Sequence, residues 1–135
     1  MAAQLTGLAV LVVAGLAPMI ATAGEIRVAA QVQDLTPQEV SQGIAEGRYL
    51  LVDVREPNEI AAEAYPDAVV VPLSRFDARQ IPDPNGKQVV FACRSGKRSV
   101  TASLAAQSVG LPYDKHLAGG ILGWKAAGQP TKSGR

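Results

Sequence analysis

The chain has 135 residues, 47% of them hydrophobic and 19% charged, which is material for one domain with a real core. Its formal net charge of +1 gives no overall field that would draw it to nucleic acid or a membrane surface. One cysteine and one histidine exclude an internal disulfide, a multi-cysteine zinc site and a histidine cluster, so neither a metal nor an organic cofactor is expected.

Met1 to Ala23 carry no charged side chain. Leu8 to Leu16 is an apolar run, Pro18 breaks it, and Ala21-Thr22-Ala23 has the small residues of a cleavage site. Segment 1–23 therefore reads as a secretory signal cleaved after Ala23, which makes the mature protein periplasmic or otherwise exported. No Lys or Arg precedes the apolar run. An uncleaved N-terminal anchor is the alternative, and membrane contact is expected only in that case.

Residues 24–34 read as a linker or an edge strand, with Ile26, Val28 and Val32 at even spacings. The folded domain is expected over 35–129, with 130–135 as a C-terminal tail. Thr36-Pro37-Gln38-Glu39 is a helix start: a capping threonine, a proline at the first helical position and a glutamate closing the box. That helix runs to about Glu46, and Gly47 supplies a left-handed stop. Tyr49 to Val54 is a buried strand with Asp53 and Arg55 at its tip, Pro57 to Ala64 a short helix, and Ala68 to Val71 a second buried strand closed by Pro72. Leu73 to Gln80 reads as another short helix, and Pro82 to Gly86 as a turn.

Gln88 to Ala92 is the next apolar strand, and it ends in Cys93. The loop Cys93-Arg94-Ser95-Gly96-Lys97-Arg98-Ser99 follows, then a helix over Val100 to Gln107 that stops at Gly110. Lys115-His116-Leu117 is a brief strand, and Gly119-Gly120 opens a last helix through Trp124 to about Ala127. Strands alternating with helices imply an α/β fold, a small, largely parallel central sheet flanked by helices on both faces. Sites in such sheets form at the carboxyl ends of strands, where Cys93 stands.

A thiol between a strand end and a helix start meets converging backbone N–H groups and the positive helix terminus. Arg94, Lys97 and Arg98 add three cations, so the thiolate is favoured and anions are attracted to it. A buried cysteine acting as a small hydrophobe would need none of these neighbours.

Four blocks in order carry a family resemblance: Leu51 to Glu59, Val70 to Ser74, Val89 to Ser99 and Leu117 to Trp124. Together they resemble a single-domain rhodanese, a sulfurtransferase, over about Leu35 to Gln129. Size and N-terminus are also similar to exported members of the phage-shock protein E type. One stretch departs from the pattern: where the family often has Gly-His-Ile before a Pro-Gly-Ala turn, this chain has Ala62-Glu63-Ala64-Tyr65-Pro66-Asp67-Ala68. The departure bears on local packing or substrate access, not on the nucleophile.

The resemblance implies that Cys93 takes a sulfane sulfur from a small anionic donor such as thiosulfate and passes it, as a persulfide, to cyanide, a thiol or a protein acceptor. Arg94, Ser95, Gly96, Lys97, Arg98 and Ser99 would then form the substrate-binding loop, whose N–H groups hold the persulfide as an oxyanion hole holds its anion. A persulfide carrier or regulatory domain without turnover is the alternative on the same fold. Cysteine phosphatases also cradle a thiolate, but their signature places Arg six positions after Cys. That position is Ser99 here, with Arg98 one residue earlier.

Asp53 and Arg55 are supporting candidates, read first as a structural ion pair, with Glu56 or Glu59 as other partners for Arg55. Ser99 is expected to cap the helix rather than bond the sulfur. Arg98 is expected to brace the loop inward, with Arg94 and Lys97 outward. His116 is read as structural, because a preformed thiolate needs no general base. Trp124 is read as core, and Gly119-Gly120 as a tight turn approaching the Cys93 loop.

Overall fold

The computed structural model describes residues 30–134. The signal-like segment 1–23, along with Ile26 and Val28, lies outside them.

Five parallel strands form the central sheet: β1 (Gln33–Leu35), β2 (Tyr49–Asp53), β4 (Val69–Val70), β5 (Gln88–Ala92) and β6 (Lys115–Leu117). Their order across the sheet is β1-β6-β5-β2-β4, so β5 is central. Helices α1 (Pro37–Ala45), α2 (Pro57–Ala62), α3 (Lys97–Ser108) and α4 (Gly120–Ala126) join them. Gln33 and Asp34 belong to β1, the strand at one edge of this sheet.

Successive side chains of a strand face opposite sides of the sheet, and β5 divides the core in this way. Val89, Phe91 and Cys93 join Ala102 and Ala106 of α3 in one cluster. Val90 and Ala92 face the other way, toward Val40 of α1 and Ile121 and Trp124 of α4. The two-residue period therefore aims Cys93 at the helix that follows it.

The start of α1 forms as its sequence requires. The Thr36 hydroxyl accepts from the Glu39 amide at 3.2 Å, and the Thr36 amide donates to the Glu39 carboxylate at 3.0 Å. Gly47 ends the helix at φ 73°.

Three expected helices differ. The segment Leu73 to Gln80 forms two separate 3-10 turns, Leu73–Arg75 and Ala78–Gln80. Phe76 between them is extended and packs edge-on against Phe91 at 5.8 Å, which breaks the helical run. The helix from Pro57 stops at Ala62, because Glu63–Ala64 (β3) pairs antiparallel with Lys132–Ser133 (β7). Lys132 and Ser133, expected in the C-terminal tail, thereby supply a strand. The third difference, the early start of α3, belongs to the site.

Candidate active site

Cys93 follows the last residue of β5 and is 1% exposed. Only Arg94, Ser95 and Gly96 separate it from α3, which starts at Lys97 instead of Val100. Gly96 makes the turn in the left-handed region, φ 103°, where its amide donates to Cys93 Sγ at 3.1 Å. A side chain there would be both strained and pressed on the Gly119 nitrogen. Burial opposes ionisation of the thiol. The Ser99 hydroxyl and the amides of Ser99, Gly96 and Ser95 outweigh it, and the Cys93 pKa falls below the ordinary thiol value.

The peptide carrying the thiol is anchored from two sides. The Cys93 carbonyl accepts from the Tyr65 hydroxyl at 2.6 Å and from the Ile121 amide at 2.9 Å. The Arg94 carbonyl accepts from the Leu122 amide at 3.2 Å. That close approach needs Gly120, at φ 57°, since a Cβ there would lie 2.3 Å from the Arg94 carbonyl oxygen. The reading of Gly119-Gly120 as a turn against the loop holds.

The three loop cations separate. Arg98 donates to both carboxylate oxygens of Glu59, at 2.6 and 2.7 Å, bracing the loop against α2. The Arg98 guanidinium, followed by a bond to the Glu56 amide, holds the Glu59 carboxyl at about 2. Arg94 and Lys97 are exposed and make no ion pair among the described residues. Both charges therefore stand on the surface beside the Cys93 loop. Ser95 is exposed beside them, and Gly96 is buried.

Asp53 and Arg55 are buried at 1% and 3% and pair through both carboxylate oxygens. Neither glutamate competes for Arg55: Glu56 accepts from the Ser74 hydroxyl at 2.8 Å, and Glu59 is on Arg98. The Arg55 guanidinium lies over the Tyr65 ring at 5.1 Å, so the pair supports the residue that holds the Cys93 carbonyl. Tyr65 was missed in the sequence, although it falls in the stretch that departs from the family pattern. It fills that space by packing edge-on against Trp124 at 5.8 Å, and Trp124 is 3% exposed, in the core as expected.

Ser99 corrects an expectation. It is the third residue of α3, and its hydroxyl caps no N–H group. It lies 3.5 Å from Cys93 Sγ, 3.1 Å from the Gly96 carbonyl and 2.9 Å from His116 Nδ1. No cluster of three metal-ligating side chains exists among the described residues.

A parallel sheet carries a buried thiol, held among backbone amides, at the carboxyl end of its central strand, and this defines an α/β domain whose cysteine is set up as a thiolate. Comparison with known proteins gives the family: residues 36–127 match the rhodanese-like domain, and the chain belongs to that family. It is 41% identical over 97 residues, 72% of its length, to an uncharacterized protein of Synechocystis sp., of which it spans about half (54%). It is 36% identical over 100 residues to a sulfurtransferase of Allochromatium vinosum, covering 73% of this chain and 94% of that one. Thiosulfate sulfurtransferase from Pseudomonas aeruginosa superposes with a TM-score of 0.66 at 26% identity, over 77% of this chain and 21% of that one.

Proposed function

We propose that the protein is a rhodanese-type sulfurtransferase that moves a sulfane sulfur from thiosulfate, or a similar small anion, through a persulfide on Cys93. The Cys93 thiolate attacks the outer sulfur of the donor, the donor S–S bond breaks, and sulfite leaves with its electron pair. A thiol, cyanide or protein acceptor then attacks the outer persulfide sulfur and restores the thiolate. The observation that carries this reading is the short cradle around Sγ, with the Gly96 amide at 3.1 Å and α3 starting four residues after Cys93. Such a turn suits one added sulfur atom whose charge the amides hold. Family membership and the sulfurtransferase relatives support it.

A phosphatase reading fares worse. Its arginine position is Ser99 here, and the guanidinium of the preceding residue, Arg98, is bound to Glu59.

The test is thiosulfate:cyanide turnover by the purified protein against Cys93→Ala. The expected result is turnover abolished in the variant; a wild type no faster than the variant overturns the enzyme reading. An adduct of about 32 Da on Cys93 without turnover would instead mark a persulfide carrier. The charge-free leader supports an exported protein. N-terminal sequencing of the native protein should begin at Gly24, and an intact Met1 or Ala2 overturns cleavage.

A further inference from the structure

His116 is 4% exposed and sits in β6, between two strands that define its environment. The parallel register puts Asp34 of β1 beside it on one side and Phe91 of β5 on the other. Its ring bonds at both nitrogens: Nε2 lies 2.5 Å from Asp34 Oδ1, and Nδ1 lies 2.9 Å from Ser99 Oγ. Ser99 in turn lies 3.5 Å from Cys93 Sγ. An unbroken line of polar atoms thus runs from a carboxylate 77% exposed at the sheet edge to the buried nucleophile.

The hydrogens on this line are set by chemistry. A carboxylate oxygen only accepts, so Nε2 carries a hydrogen and points it at Asp34. In the neutral ring Nδ1 is then a bare acceptor, and the Ser99 hydroxyl donates to it. The thiol can donate to Ser99 Oγ in the same state.

We propose that His116 is a positioning residue for the Cys93 nucleophile, taking up the thiol proton by way of the Ser99 hydroxyl and then holding that hydroxyl's hydrogen on the sulfur. The proposal rests on Cys93 being the working nucleophile. The step balances without an oxidant or reductant. The S–H bond breaks, its electron pair stays on sulfur, and its proton passes to Ser99 Oγ. The former Ser99 proton passes to His116 Nδ1. The product is a thiolate accepting from Ser99, which accepts from an imidazolium, which donates to Asp34. The Gly96 carbonyl competes for the Ser99 hydrogen at 3.1 Å, and a protonated Nδ1 does not accept, so the hydrogen is shared only between that carbonyl and the thiolate.

The other ionisable groups around the pair do not compete. Arg98 of α3 is bound to Glu59 and raised further above its ordinary value by that contact. Tyr65 is held neutral by burial. Lys115 on β6 is closed on Asp114 at 2.8 Å.

The test is the rate of Cys93 alkylation by iodoacetamide as a function of pH, in wild type, His116→Asn, Ser99→Ala, Asp34→Asn and the double variant His116→Asn/Ser99→Ala. Asparagine places a hydrogen-bonding nitrogen near the Nδ1 position but takes up no proton. The alkylation midpoint should rise by about one pH unit in His116→Asn and in Ser99→Ala. The double variant should rise no further, since both changes cut one line. Asp34→Asn should give a smaller rise. The single histidine also allows a direct readout, ¹⁵N NMR of its ring. Its signals should move at the alkylation midpoint in wild type and lose that step in Cys93→Ser. Unchanged midpoints, additive shifts, or a His116 titration that ignores Cys93→Ser each overturn the relay. Should His116→Asn not fold, the NMR comparison of wild type with Cys93→Ser decides. Alkylation needs no sulfur donor, so a coupled titration without thiosulfate turnover supports the relay while overturning the sulfur-transfer reading.

Discussion

The Tyr65 hydroxyl donates to the carbonyl oxygen of Cys93 at 2.6 Å, across 28 positions of sequence. Tyr65 is 2% exposed, and its ring packs against both the Arg55 guanidinium and Trp124. Tyr65→Phe keeps the packing and removes only the bond, leaving the Ile121 amide on that carbonyl. The expected cost is about 1 kcal/mol. In thermal unfolding that is a fall of roughly 4–8 °C for a domain of this size. A melting temperature equal to wild type would show that the bond contributes nothing.

Gly120→Ala should be far more damaging. Position 120 has φ 57°, and a Cβ would meet the Arg94 carbonyl oxygen at 2.3 Å and the Cys93 carbonyl oxygen at 2.6 Å. Backbone on both sides leaves no flexible group to give way. The loss should exceed about 3 kcal/mol, with turnover lost as the Cys93 peptide shifts. Gly110→Ala is the control: φ is 85° but the space is open, so only strain of about 1 kcal/mol is expected. Equal denaturant midpoints for the two variants would refute the steric argument.

Glu59 makes stability depend on acid. Its carboxyl is held at about 2 by Arg98, against an ordinary value of 4.5. A depressed carboxyl contributes stability that is complete above the unfolded value and is lost as pH falls through the folded one. The loss should therefore run from about pH 5 down to pH 2 and amount to no more than about 3 kcal/mol. The two side chains are 31% and 23% exposed, so solvent screening lowers the figure. Glu59→Gln should be less stable than wild type at pH 7 and show a flatter profile between pH 5 and 2. Parallel profiles for the two proteins would rule out the pairing as the cause.

The exposed cations should act on the encounter rather than on the chemistry. Arg94→Ala with Lys97→Ala is expected to raise KM for thiosulfate roughly ten-fold with a smaller change in kcat. The wild-type KM should also climb with ionic strength, because exposed charges are screened. A KM insensitive to both changes would mean that the donor is held by the loop amides alone.

Much of the architecture is legible in the residues. The Thr36 box, the Gly47 stop and the apolar runs at β2 and β5 are local signals, and local physics satisfies them. The misread segments are those where a distant partner intervenes. Phe76 leaves its helix to reach Phe91, and Glu63–Ala64 leave theirs to pair with Lys132–Ser133. The early start of α3 was hidden because Lys97 and Arg98 read as loop cations. Only the left-handed Gly96 lets the chain turn into the helix so soon after Cys93.

The candidate site divides along the same line. A strand that ends in a thiol, a glycine able to turn, and a two-residue period that aims Cys93 at the following helix are determined by the sequence alone. Tertiary structure decided which neighbours are free and which are bound. Arg98 is taken by Glu59, 39 positions away, and His116 reaches Asp34, 82 positions away, across the β1–β6 register. Neither pairing has a local signal. Each depends on which strands and helices lie side by side, and that is settled by burial of the whole core rather than by any neighbouring residue.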